Sequence, residues 1–87
     1  MYIILVYDVG EERVTKVCNY LRRYLPRVQN SVFEGDLSES KFARMKSGLS
    51  KLLVDNYDSV IIWTSRDSQW TAREILGTEK LPVSNIL

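Results

Sequence analysis

An apolar run, Met1-Tyr2-Ile3-Ile4-Leu5-Val6-Tyr7, ends in a single carboxylate, Asp8, followed by Val9 and Gly10. A strand this apolar is expected to be central in a sheet and buried on both faces. The pattern places Asp8 at the end of a core strand, where water is scarce. An isolated buried charge is costly, so the carboxylate must cap the next helix, pair with an arginine or hold a metal ion. The chain contains no histidine. Ser-His-Asp and Cys-His catalysis are thereby excluded, as are imidazole-ligated metal sites. Any base must come from Asp, Glu, Lys, Tyr or a metal-bound water.

A second chemistry-bearing pattern is positive. Between Arg13 and Arg27 lie Arg13, Lys16, Arg22, Arg23 and Arg27, with no acid among them. On a helix, Arg13, Lys16 and Arg23 share a face away from the Val17 and Leu21 stripe. Such cations track a phosphate backbone without reading sequence, or they form an ordinary solvated face. Lys41, Arg44, Lys46 and Lys51 carry the same two readings. The Ser31 hydroxyl is placed to bind phosphate or to bond within a sheet. Trp63 and Trp70 read as core and interface residues, not base-stacking platforms.

The elements that must position these groups alternate along the chain. Strand residues 2–9 lead to an amphipathic helix over about 12–24, marked by Val14, Val17, Cys18, Leu21 and Leu25 and stopped by Pro26. Residues 27–35 read as one strand. Ser38 is the N-cap of a helix over about 39–54, with Leu37 stapled to Phe42. Gly48 inside that helix is unfavourable. Residues 59–64 and Trp70–Leu76 read as further strands, and Leu81–Leu87 as an extended tail. The 87 residues make one domain, 1–87. The fold class is α+β, a ferredoxin-like βαββαβ-type sandwich with antiparallel neighbours and both helices on one face. The first strand is apolar on both sides, so the bare sheet face implies a second copy, and the extended tail could add an edge strand to it. Net charge is only +1, which by itself announces no nucleic-acid partner. One cysteine, Cys18, forms no internal disulfide and fits a cytoplasmic location. No apolar run reaches the length of a membrane span.

Tyr7-Asp8 after the apolar strand, the segment Arg27-Val28-Gln29-Asn30-Ser31-Val32-Phe33-Glu34-Gly35 and the closing Val83-Ser84-Asn85-Ile86 resemble the small CRISPR-associated adaptation proteins of the Cas-two family. The resemblance covers the whole chain in length, element order and ending. It implies a ferredoxin-like homodimer whose sheets face each other. It also implies a place beside the larger CRISPR integrase subunit in the complex that inserts new spacers into an array. Members of the family are credited with magnesium-dependent cleavage of single-stranded RNA or double-stranded DNA. The catalytic and metal-binding acid implied here is Asp8. Phe33 falls at a position the family links with the active cleft, although packing at the dimer interface accounts for it equally.

One carboxylate is a poor site for Mg²⁺, which takes six oxygens. If the ends of the first strands meet at a two-fold axis, two copies of Asp8 share one ion. That ion polarises a phosphodiester and acidifies water, with no imidazole required. The expected nucleic-acid contacts are Arg13, Lys16, Arg23, Arg27, Ser31 and Phe33. Three functions stay open: a metal-dependent endonuclease, a non-catalytic DNA-binding adaptor that spaces two integrase subunits, and a toxin-like ribonuclease of the same fold.

Overall fold

The computed structural model describes residues 1–66 and 69–79, with the side chains of 69–71 set aside. Strand β1 spans Tyr2–Asp8, α1 Val14–Leu21, β2 Arg27–Gln29, β3 Val32–Asp36, α2 Glu39–Leu52, β4 Ser59–Arg66 and β5 Gln69–Gly77. The described strands form one antiparallel sheet in the order β2-β3-β1-β4-β5. The first four strands follow the ferredoxin-like order expected for split βαβ units. Strand β5 extends the β4 edge as a hairpin partner. The extended tail expected at Leu81–Leu87 lies outside the described residues.

The segment 27–35 is not one strand but a hairpin. Asn30 and Ser31 turn the chain between β2 and β3. Asn is a turn former, here obscured by β-branched and aromatic neighbours. The Arg27 guanidinium donates to the Asn30 carbonyl at 3.1 and 3.2 Å, and the Tyr7 hydroxyl donates to the same oxygen at 3.2 Å. The turn is thereby tied to the end of β1.

The first helix is shorter than its apolar periodicity suggests. A 3-10 turn, Glu11–Arg13, precedes α1, and the chain leaves regular helix after Leu21. Arg23 and Tyr24 donate to carbonyls only three residues back, which tightens the exit toward Pro26. The second helix starts as expected, with Ser38 Oγ accepting from the Lys41 amide at 3.2 Å. It ends at Leu52, where Leu53 turns extended.

One face of the sheet carries both helices. Ile3, Leu5 and Tyr7 of β1, Phe33 of β3, and Val60 and Ile62 of β4 pack beneath Val17, Leu21, Phe42, Met45 and Leu49. The alternate residues form the other face. Register aligns Ile4 with Glu34 and Trp63, Val6 with Val32 and Ile61, and Ile61 with Ile75. No described helix covers that second face, so Ile4, Val6, Val32, Ile61, Trp63 and Ile75 are only half-buried.

Gly48 has a packing reason. The Tyr20 ring crosses α2 at this position, and its hydroxyl donates to the Met45 carbonyl at 3.0 Å. Any Cβ on residue 48 would collide with that hydroxyl. Burial pushes the Tyr20 hydroxyl pKa up to about 12, helped by its bond with Tyr24, so it remains a donor throughout the neutral range. Gly48→Ala, which in a free helix would stabilise by up to ~1 kcal/mol, is expected here to destabilise by about 1–3 kcal/mol through overpacking. Chemical denaturation checks the sign.

Candidate functional site

Asp8 ends β1 opposite Ser59 of β4. Alternation puts it on the open face with Tyr2, Ile4 and Val6. The expectation that water is scarce there is overturned: Asp8 is exposed, because the sheet ends at this residue and the helices cover the other face. Its carboxylate is reached from solvent. The acids of β3 are too distant to join it within one chain. Glu34 pairs with Ile4, four residues down the strand, or about 13 Å away. It also accepts from the Tyr2 hydroxyl at 2.6 Å, which raises the pKa of that hydroxyl. Asp36 lies farther still, opposite Tyr2.

The buried acid expected at the end of β1 belongs instead to Asp58, just before β4. Its side chain is 0% exposed. One carboxylate oxygen accepts from the Gly10 amide at 2.8 Å and from Arg13 Nη2 at 2.8 Å. The other accepts from Arg13 Nε at 2.5 Å and the Val54 amide at 2.9 Å. These bonds, that from Arg13 foremost, outweigh desolvation and hold the Asp58 pKa well below the usual carboxylate range. The Asp58 carbonyl also accepts from the Thr78 amide at 2.9 Å. Gly77, at φ +82°, passes so close to that carbonyl that no Cβ fits. Asp58 therefore fastens the loop that follows Asp8 to the loop that enters β4 and to the end of β5. A sequence signal exists, since an acid directly precedes an apolar strand. Its partners Arg13 and Gly10 lie 45 and 48 residues away, however, and nothing local names them.

The other expected site residues separate. Phe33 is corrected: it is 0% exposed in the core and cannot stack on a base or face a second copy. It alternates with Val32 and Glu34, and its side falls to the helices. Arg13 is also corrected as a phosphate contact, because its guanidinium is bidentate to Asp58 and only 18% exposed. The expected shared helical face of Arg13, Lys16 and Arg23 is broken too, since Arg13 precedes α1 and Arg23 follows it. Lys16, Arg22, Arg23 and Arg27 remain exposed. Arg22 and Arg27 line a concavity of about 260 Å³ with Tyr7. Ser31 is half-buried at the hairpin turn, and its carbonyl accepts from the Tyr7 amide at 3.0 Å.

A metal would find one exposed carboxylate, Asp8, at this end of the open face. Among the described residues no group of three or more acids or cysteines converges on a point. The hard oxygen donor suits a magnesium-type cation, which keeps several waters and tolerates few protein ligands. A single protomer supplies only one such donor from this strand.

The geometry has close counterparts. The sequence profile of the family described as CRISPR associated protein Cas2 matches residues 1–73. A CRISPR-associated endoribonuclease Cas2 of Pyrococcus furiosus is 52% identical over 87 residues, spanning 100% of both chains. That of Methanosarcina acetivorans is 48% identical, again over 100% of both. A crystal structure of Cas2 superposes with a TM-score of 0.74 at 38% identity, covering 100% of this chain and 98% of the other. Streptococcus pyogenes Cas2 superposes at 0.70 with 28% identity, over 78% and 89% of the two chains.

Asp58→Ala should leave the Arg13 guanidinium with only the exposed Glu12 as counter-charge and the Gly10 and Val54 amides without their acceptor, and destabilise the fold by about 3–5 kcal/mol in urea titration. The pH dependence follows from the depressed native pKa. The carboxylate's contribution is complete above the ordinary value of 3.8 and is lost as pH falls below it. Stability measured from about pH 5 downward should fall in the wild type and be flatter in Asp58→Asn.

Proposed function

The chain belongs to the CRISPR-associated Cas2 family, and from that premise we propose that it is a cytoplasmic, metal-dependent endonuclease of RNA or DNA phosphodiesters that supports spacer acquisition. The observation that carries this reading is the exposed Asp8 carboxylate at the end of β1, on the face that no described helix covers. The relatives' names, endoribonuclease in both quoted cases, support phosphodiester cleavage. A second copy seated on the open face would bury Ile4, Val6, Ile61 and Trp63 and bring two Asp8 carboxylates toward one axis. A divalent cation held there supplies Lewis-acid polarisation of a phosphoryl oxygen and acidifies water, which answers the absence of histidine.

The residues of the chain then divide the work. Asp8 supplies the charge that attracts the cation. Asp58 and Arg13 fix the loop beginning at Gly10, two residues beyond it. Lys16, Arg23 and Arg27 neutralise phosphates, and the Ser31 hydroxyl lies at the same end of the sheet as Asp8. No base-reading contact is required, so recognition is independent of sequence.

The supply of one strand-end carboxylate per protomer favours a second reading, a non-catalytic adaptor whose dimer spaces two integrase subunits on DNA. Asp8→Asn separates the two. It keeps the shape and loses the charge. Cleavage of RNA and DNA in Mg²⁺ should disappear, while the melting curve and duplex binding stay unchanged. Cleavage that survives removes the metal assignment. Loss of cleavage with spacer integration intact favours the adaptor.

The dimer has its own test. Trp63→Glu, on the open face, should shift the protein from dimer to monomer in sedimentation without unfolding it. A wild-type protein that sediments as a monomer at micromolar concentration overturns the shared site.

A further inference from the structure

The cations of this chain are not distributed as its net charge suggests. Ion pairs among the described residues engage Arg13, Lys46, Arg66 and Arg73. Lys16, Arg23, Lys41 and Arg44 have no carboxylate within ion-pair distance among those residues. The acids closest to them in sequence are already engaged. Glu12 meets Arg13 at 3.0 Å, Glu34 accepts from the Tyr2 hydroxyl at 2.6 Å, and Glu39 meets Arg66 at 2.7 Å.

The four cations converge on two adjoining concavities of the helical layer. The first, about 260 Å³, is lined by Arg23, Tyr24, Leu37, Lys41 and Arg44. The second, about 300 Å³, is lined by Lys16, Asn19, Tyr20, Arg23 and Leu52. Arg23 belongs to both, with its guanidinium 5.8 Å from the centre of the Tyr20 ring. Neither lining contains an acid. Like charges gathered without a counter-charge repel one another, and the arrangement is favourable once an anion neutralises them.

We infer that this groove, which starts between the exit of α1 and the first turns of α2 and continues along both helices to Lys16 and Leu52, binds consecutive phosphates of a nucleic acid. This rests on the nucleic-acid reading above and gives it a holding surface whose first concavity lies apart from Asp8. That separation follows from the fold. Leu37 sits beside Met1, bonded backbone to backbone at 2.9 Å, at the start of β1. Asp8 ends the same strand, about 20 Å along it. Two linked concavities fit a chain of phosphates better than one small anion. Their flexible lysine and arginine heads neutralise charge without reading bases.

The test uses the full-length protein and a fluorescent DNA duplex several helical turns long, titrated across a salt series. Arg23→Gln, Lys41→Gln and Arg44→Gln together should weaken binding at least tenfold. They should also flatten the log-log salt slope by about 2–3, near 0.9 for each phosphate no longer neutralised. The charge-preserving triple Arg23→Lys, Lys41→Arg, Arg44→Lys should keep most of the slope, and melting curves should show all variants folded. Lys51→Gln, on the same helix but outside both linings, should change the slope by less than the share of one phosphate. A slope unchanged in the neutral triple overturns the inference. So does a neutral triple that keeps duplex binding but no longer binds a poly-glutamate peptide, which would make the groove a protein-docking surface. Asp8→Asn keeps the two readings distinct. If it still cleaves while the neutral triple shows the flattened slope, the metal assignment fails and the groove stands.

Discussion

The bidentate pairing of Asp58 with Arg13 is the constraint on which the rest depends. A carboxylate with no exposure survives only because two amides and one guanidinium satisfy its oxygens. Each of those donors belongs to a different piece of backbone. The Gly10 amide follows β1, Arg13 leads into α1, and the Val54 amide follows α2. Through its main chain Asp58 also fixes the end of β5. One residue thus sets the relative position of both helices and three strands at the end of the sheet where Asp8 emerges. The acid with the strongly lowered pKa holds the fold together, and the acid proposed for chemistry is the exposed Asp8. A perturbed pKa alone would single out the fastening residue.

The sheet separates two environments. Its helix-covered face is a closed apolar core in which Phe33, Ile3, Leu5 and Ile62 are fully buried. Its other face alternates half-buried Ile4, Val6, Ile61 and Trp63 with the polar Tyr2–Glu34 pair. That division assigns the roles. Residues whose alternation turns them to the helices hold the fold, whatever their sequence neighbours suggest. Residues turned the other way face outward, where a second copy or a ligand would meet them. The cations, meanwhile, gather on the outer surface of the helices. Glu39 is the one acid in α1 and α2 together, and the apolar stripes of both helices face the sheet.

Much of the architecture is legible in the chain. The apolar run of β1, the Ser38 cap and the β-branched run at Ser59–Thr64 each identify an element by local physics, and the short strand beginning near Trp70 is present as β5. The motif Arg27–Gly35 carries the family resemblance correctly but conceals a hairpin. Two turn residues inside an otherwise strand-forming segment are too few to break its pattern. Periodicity overextends the first helix, because Leu25 keeps helical spacing while its backbone has already left the helix. Gly48 reads as a weakness in sequence, and only the Tyr20 ring crossing it supplies the reason for a glycine there.

What the sequence by itself determined is the set of periodicities, the family and the identity of the one acid at the end of the first strand. These follow from local propensity and from a pattern of residues that survives without coordinates. Only the tertiary structure decided which acid is buried, which arginine is engaged and which way Phe33 faces. Each of those depends on a partner far along the chain: Asp58 meets Arg13 across 45 residues. Desolvation, ion pairing and the side of a sheet are properties of assembled elements, and no single element carries the information that fixes them.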